Sequence, residues 1–252
     1  MTLSTWLRRK PRDVVQAGQR VASLRSAGRT HVGRVRTVNE DRLLDRADRG
    51  LWAVADGMGG HSAGAAAATA VVGVLDALAD DPRPIDEARV RAALGQANQA
   101  IHDGGSADAT SGTTVVVAAI TGPTATICWA GDSRAYRIRD GRAERLTRDH
   151  SVVQEMIDAG VLSAAAAERH PHAHVVTRAL GVAPTIALET KTIALEPGDR
   201  LLLCSDGVSR SIDPRDFVTM PHAPGDIADR FLANALQRDG GDNATLVVVA
   251  VS

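Results

Sequence analysis

The chain has 252 residues, with 29 Lys and Arg against 30 Asp and Glu, a formal net charge of -1 and 44% hydrophobic residues. That apolar share supports a sizeable core. Near-neutrality and only 2% aromatic residues argue against a nucleic-acid binder, which needs a basic excess or stacking rings. Cys128 and Cys204 are too few for a disulfide scaffold or a four-cysteine zinc site, and both sit in apolar runs as buried free thiols. The N-terminus lacks a signal-peptide core, and no apolar run approaches the ~20 residues of a bilayer span. A soluble, cytoplasmic protein without a transmembrane segment is expected.

Residues 1–20 read as a basic leader, and 21–252 as one domain. From Val21 the pattern becomes short and β-like, through Thr30–Arg36 and Asp41–Asp45, and the apolar run Leu51–Ala55 ends at Asp56-Gly57. Ser62 can cap a helix over Ala65–Leu78, and a second helix is expected over Ile85–His102. After a Gly/Ser/Asp loop at 103–111, strand-length runs at Thr113–Ile120, Ala125–Ala130, Ser133–Arg139 and Arg142–Leu146 form an antiparallel meander. Ser151–Gly181 is helical in composition and interrupts the strands as a flap. Strands resume at Ile186–Leu195 and Arg200–Cys204. Helices follow near Pro214–Val218 and Gly225–Gln237, then a final strand at Thr245–Val251. Strands and helices segregate rather than alternate, which predicts an α+β sandwich and not a Rossmann fold.

The chemistry sits in carboxylates beside these strands. Asp56, Asp132 and Asp206 follow apolar runs, Asp242 precedes the last strand, and Asn39-Glu40-Asp41 lies in the N-terminal β region. A single Asp-Gly after a strand is most often a turn, as Asp140-Gly141 is expected to be. Several converging carboxylates repel one another unless a divalent cation offsets the charge. Hard oxygen ligands, without His or Cys at zinc spacing, favour Mg²⁺ or Mn²⁺. Two such ions sharing a carboxylate can place a nucleophilic hydroxide for phosphoester hydrolysis.

The ordered segments Gly33–Asp41, Val54–His61, Ser111–Thr114, Gly131–Tyr136, Leu146–Ser151, Cys204–Gly207 and Gly241–Asn243 resemble the metal-dependent protein phosphatases of the 2C type, the PPM family, in its compact bacterial form. The resemblance implies a four-layer α-β-β-α sandwich: two antiparallel sheets flanked by antiparallel helix pairs, with a flap near the active site. It implies two Mn²⁺ or Mg²⁺ ions, bridged by Asp56, with the Gly57 carbonyl on the second and Asp206 and Asp242 on the first. Glu40 and Asp41 would act through water, Asp132 with Asp206 would hold a third ion, and Arg36 would grip the phosphate. The implied substrates are phosphoserine and phosphothreonine proteins, with Ser/Thr kinases and their targets as partners. Two alternatives stand beside this reading: a phosphatase dedicated to one regulatory partner of the anti-sigma-antagonist type, and an inactive binding module.

Met58 occupies the place where eukaryotic relatives carry a histidine thought to protonate the leaving group, and Met has no such proton. His61 is shifted three positions from it. His170, His172 and His174 alternate on a short segment, a poor three-ligand zinc pattern that reads as a solvated flap. No heptad or apolar interaction stripe appears, so a monomer is expected.

Overall fold

The structure, a computed structural model, describes residues 23–59, 63–104, 111–167 and 170–252. The leader expected over 1–20, His61, the expected cap Ser62 and the centre of the 103–111 loop lie outside the described residues.

Elements are numbered in chain order. One antiparallel sheet has the order β1 (Leu24–His31), β12 (Ala244–Val251), β11 (Arg200–Cys204), β8 (Arg134–Arg139), β9 (Arg142–Arg145). A second has the order β10 (Glu189–Ala194), β7 (Thr124–Ala130), β6 (Val115–Thr121), β3 (Leu51–Ala55), β2 (Arg42–Arg46). A two-residue ladder pairs β4 (Gly57–Met58) with β5 (Gly112–Thr113).

The two-residue period of the strands sorts their side chains into separate cores. Trp52, Val54, Val116 and Ile127 of the second sheet meet Leu201, Leu203, Val247 and Val249 of the first. On the other face of β3 and β6, Ala53, Ala55, Val115 and Val117 pack beneath α1 (Ala63–Asp80) and α2 (Glu87–Gly104). Leu202, Leu246 and Val248 pack outward against Phe231 and Ile227 of α6 (Pro224–Arg238). The one-turn α5 (Asp206–Ser209) lies beside α6. These layers give the α+β sandwich of two antiparallel sheets between helices. β6 and β12 are buried on both faces, which is why they read as continuous apolar runs rather than alternating ones.

α1 corrects one expectation. Its 18 residues are apolar enough to cross a membrane by length and composition, where no such run was expected. In the fold, Gly64, Ala67, Ala68, Val71, Leu75 and Ala79 form its buried stripe. These small side chains bring the helix close to the second sheet and to α2, so its apolarity serves a core helix.

Two other boundaries differ. The β run expected from Val21 through Arg36 ends at His31, after pairing from Leu24↔Val251 to His31↔Ala244. Beyond it Gly33 turns with φ +85, and a Cβ there would lie 2.3 Å from the Asp242 carbonyl oxygen. This is a close approach that only glycine allows. Among its described residues, the flap, expected to be helical, holds only α3 (Val152–Asp158) and the one-turn α4 (Ala164–Ala167). Ser151 caps α3 by accepting the Gln154 amide at 3.3 Å. Bridges between Ser151 and Val176 and between Thr113 and Leu180 tie the flap to the sandwich.

Candidate metal and phosphate site

The strand registers bring the predicted carboxylates to one end of the sandwich. Ala55 pairs with Arg42, so Asp56, just past β3, lies beside Glu40 and Asp41, just before β2. Cys204 pairs with both Leu246 and Arg134. Asp206 after β11, Asp242 before β12 and Asp132 before β8 therefore share the same edge. Arg36, Glu40, Asp56, Asp132, Asp206 and Asp242 line one cavity of about 650 Å³. Gly57 lines it too, while Asp41 is 1% exposed and lies beneath its floor.

Local packing makes this geometry specific. Asn243 accepts the Glu40 amide at 2.8 Å and donates its side-chain amide to Val32 O at 2.9 Å and Val38 O at 3.0 Å. One side chain thus fixes the whole 32–40 loop beside β12. The Asp56 carbonyl accepts the Thr114 amide at 2.8 Å and the Thr113 hydroxyl at 3.0 Å. That leaves the Asp56 carboxylate directed away from the ladder. A Cβ on Gly57 would sit 2.2 Å from Gly64 O, and one on Gly64 would sit 2.6 Å from Glu40 Oε1. The Asp-Gly pair and the start of α1 approach at backbone distance.

Too much negative charge converges here for the carboxylates to ionise independently. Burial pushes Asp56 well above the usual carboxylate range, and the charges of Asp41, Asp206, Asp132 and Asp242 add to it. Burial raises Asp41 to about 7, partly offset by hydrogen bonds from Thr245 and Ser205. The Ser205 hydroxyl donates to Asp41 Oδ2 at 2.8 Å. Burial likewise raises Asp132 to about 7, with Asp206 and Asp149 adding to it. Burial also raises Asp206, against the lowering effect of Arg210. Desolvation and like-charge repulsion act in the same direction, and a cation is the group that reverses both.

Two arginines already provide some of that charge. Arg36 forks onto Asp242, Nε to Oδ1 at 3.0 Å and a terminal nitrogen to Oδ2 at 3.0 Å. Arg210, one turn along α5, pairs with Asp206. With these carboxylates turned onto arginines, no three His, Cys, Asp or Glu side chains among the described residues close around a point. Among the described residues, Glu40 Oε1 and Asp41 Oδ1 are nonetheless buried without a hydrogen-bond partner. Orphaned buried carboxylate oxygens, in an all-oxygen donor set with raised pKa values, fit hard divalent cations such as Mn²⁺ and Mg²⁺.

Residues that the sequence reading did not select also reach the cavity. Arg210, Thr114, Asn243 and His174 line it. Arg210 was signalled by its spacing, i+4 from Asp206 on α5. His174 is exposed, as expected of a solvated flap, and also lines the cavity; a local pattern carries no sign of a residue brought beside a site by long-range bridges.

Comparison with known proteins identifies the family. Residues 27–240 match the family described as protein phosphatase 2C. The chain is 37% identical over 235 residues to the protein phosphatase PhpP of Streptococcus pneumoniae, covering 88% of this chain and 96% of that one. It is 35% identical over 243 residues to the serine/threonine protein phosphatase PstP of Mycobacterium tuberculosis, covering 90% of this chain but only 45% of PstP. The chain therefore spans a little under half of that relative's length. The solved catalytic domain of PstP, in complex with two manganese ions, superposes with a TM-score of 0.82 at 34% identity, covering 91% of this chain and 99% of that one.

Proposed function

The chain belongs to the protein phosphatase 2C family, and from that premise we propose that it hydrolyses phosphoserine and phosphothreonine in proteins with the help of Mn²⁺ or Mg²⁺. The observation that carries the proposal is the cavity in which Asp56, Asp206, Asp242 and Glu40 face Arg36. Its proposed substrates are Ser/Thr kinases and their targets, encountered in the cytoplasm by a monomer.

In this reading Asp56 and the Gly57 carbonyl, with Asp206 and Asp242, hold two divalent ions, while Glu40 and Asp41 support them through water. Asp132 with Asp206 would hold a third. When bound, the ions would supply Lewis acidity and lower the cost of ionising the attacking water. The chain's own groups do the rest. Arg36 presents a planar fork suited to two phosphate oxygens and stays charged at any working pH. Its 54% side-chain exposure leaves it accessible from the cavity mouth. The close backbone approach of Gly57 and Gly64 and the side-chain hydrogen bonds of Asn243 hold the carboxylates in register, so little rearrangement is needed as charge builds on the phosphoryl group. The buried Cys128 and Cys204 thiols are pushed up to about 12 by burial. That state disfavours a cysteine nucleophile.

The test is hydrolysis of p-nitrophenyl phosphate and of a phosphothreonine peptide with Mn²⁺, with and without EDTA, in the wild type and Asp56→Asn. Mn²⁺-dependent turnover that EDTA abolishes and Asp56→Asn reduces at least ~10²-fold is expected. Metal-independent turnover, or full activity in the variant, refutes the reading.

A further inference from the structure

We propose that His174 is the general acid of this reaction, giving the leaving Ser or Thr oxygen its proton. The proposal rests on the phosphatase reading above and adds a residue to it. A serine or threonine alkoxide is a poor leaving group, and its departure needs a proton in the transition state. Met58, directly after Asp56-Gly57, lines the cavity but has no acidic proton.

Among the described cavity residues, the choice of donors is narrow. Arg36 and Arg210 hold their protons too tightly to transfer them. Asp56, Asp132, Asp206, Asp242 and Glu40 are assigned to the cations, and Asp239 accepts the Gly241 amide at 3.3 Å. Thr114 Oγ1 is engaged with Ser133 Oγ at 2.7 Å. Among the described residues, His174 is the one imidazole lining the cavity, and imidazole is the side chain suited to proton transfer near neutral pH.

The fold holds His174 at that place. Residues 170–175 turn through Ala173 N–H to His170 O at 2.9 Å and Val175 N–H to His172 O at 3.1 Å. The next residues are tied down: Val152 N–H donates to Val175 O at 3.0 Å, and Thr177 N–H to His150 O at 2.8 Å. His174 therefore leaves the backbone one residue before an anchored strand segment. It lines both the main cavity and an adjoining one of about 540 Å³ beneath the flap. The charged groups around these shared walls are Asp206 of α5 and Arg210 just after it, Asp132 of the β7–β8 turn, Asp239 and Asp242 before β12, Arg36 and Glu40 before β2, and Arg134, Arg145 and Asp149 beneath the flap. His174 also lies within electrostatic reach of Asp206, where a positive imidazolium would favour the ionised carboxylate.

The step balances without another reactant. A water oxygen forms the new bond to phosphorus and loses a proton to solvent. The bond from phosphorus to the Ser or Thr oxygen breaks, and its electron pair stays on that oxygen. The His174 imidazolium transfers its proton there and is reprotonated from solvent.

Leaving-group chemistry tests the proposal. p-Nitrophenolate departs without a proton, whereas a serine alkoxide does not. With Mn²⁺ present, His174→Gln is expected to lower kcat on a phosphoserine peptide by about 10²-fold, while kcat on p-nitrophenyl phosphate changes less than about threefold. The fall of phosphopeptide kcat at high pH in the wild type should vanish in the variant. Equal losses on both substrates, no loss, a change confined to KM, a retained high-pH fall, or selective loss in His61→Gln instead would each overturn it. Absence of Mn²⁺-dependent turnover in the wild type would overturn the phosphatase reading instead, so the two failures are distinguishable.

Discussion

Arg36 and Asp242 illustrate how a single pair can matter for substrate and little for stability. The pair is bidentate, yet the Arg36 side chain is 54% exposed and Asp242 27%. An ion pair open to water contributes little to folding. Arg36→Lys keeps the charge and loses the planar fork, so the thermal midpoint should stay within about 1 °C of the wild type. KM for a phosphopeptide should rise about tenfold, the worth of one charged hydrogen bond of ~1.5 kcal/mol. Calorimetric melting and steady-state kinetics on the same preparation check both halves. An unchanged KM would remove Arg36 from phosphate binding. The carboxylates of this site were legible in the sequence because each stands beside an apolar run and most have a glycine next to them. Arg210 was signalled only by its i+4 spacing from Asp206, and His174 by nothing local, because its place beside the site depends on a flap folded back by β-bridges.

At the scale of elements, the junction of α5 with the loop before β12 holds the site together. A Cβ on Gly207 would lie 2.0 Å from Asn243 O and 3.5 Å from Asp242 Cβ. Gly207→Ala must therefore push α5 away from the loop that carries Asp242 and anchors Glu40. Overpacking of this kind costs about 1–3 kcal/mol, and phosphatase activity should fall with it because Asp206 and Asp242 move apart. Urea unfolding and peptide hydrolysis would show the two losses together; intact activity in a destabilised variant would separate this junction from the site. The same scale shows what the sequence pattern could not carry. The helices and the central strands β3, β6, β7, β11 and β12 emerge from their apolar runs and turn residues. The first β run, expected from Val21 through Thr30–Arg36, ends at His31 because its pairing with β12 stops there. Helical composition likewise overstated the flap, where alanines such as Ala164–Ala166 stay exposed and gain too little burial to extend a helix.

Across the whole molecule, two sets of groups give pH dependences of opposite sign. Asp41 and Asp132, raised by burial to about 7, bind protons more tightly in the folded than in the unfolded chain. Without a cation, the stability they contribute is complete below about 4 and is lost as pH rises through about 7. His150 behaves otherwise. Its Nδ1 accepts the Gly131 amide at 3.1 Å, so the neutral ring carries its proton on Nε2, which donates to Glu189 Oε1 at 3.1 Å. Burial holds its pKa below the usual histidine value, with Glu189 acting against that shift. This contribution is complete above about 6.5 and is lost as pH falls toward the lower folded value. EDTA-treated protein should therefore melt at a lower temperature at pH 8 than at pH 6. Mn²⁺ should remove that loss and leave a decline on acidification that His150→Gln flattens. Melting curves across pH with and without Mn²⁺ decide this, and identical pH profiles in both states would refute it. The ring of His150 has one more consequence, an optical one. It stacks on Trp129, centroids 6.3 Å apart and planes at 13°, at the base of the flap. An imidazolium quenches indole emission more strongly than a neutral ring. Trp129 is therefore a built-in fluorophore, reporting the protonation of the flap's root without any attached dye.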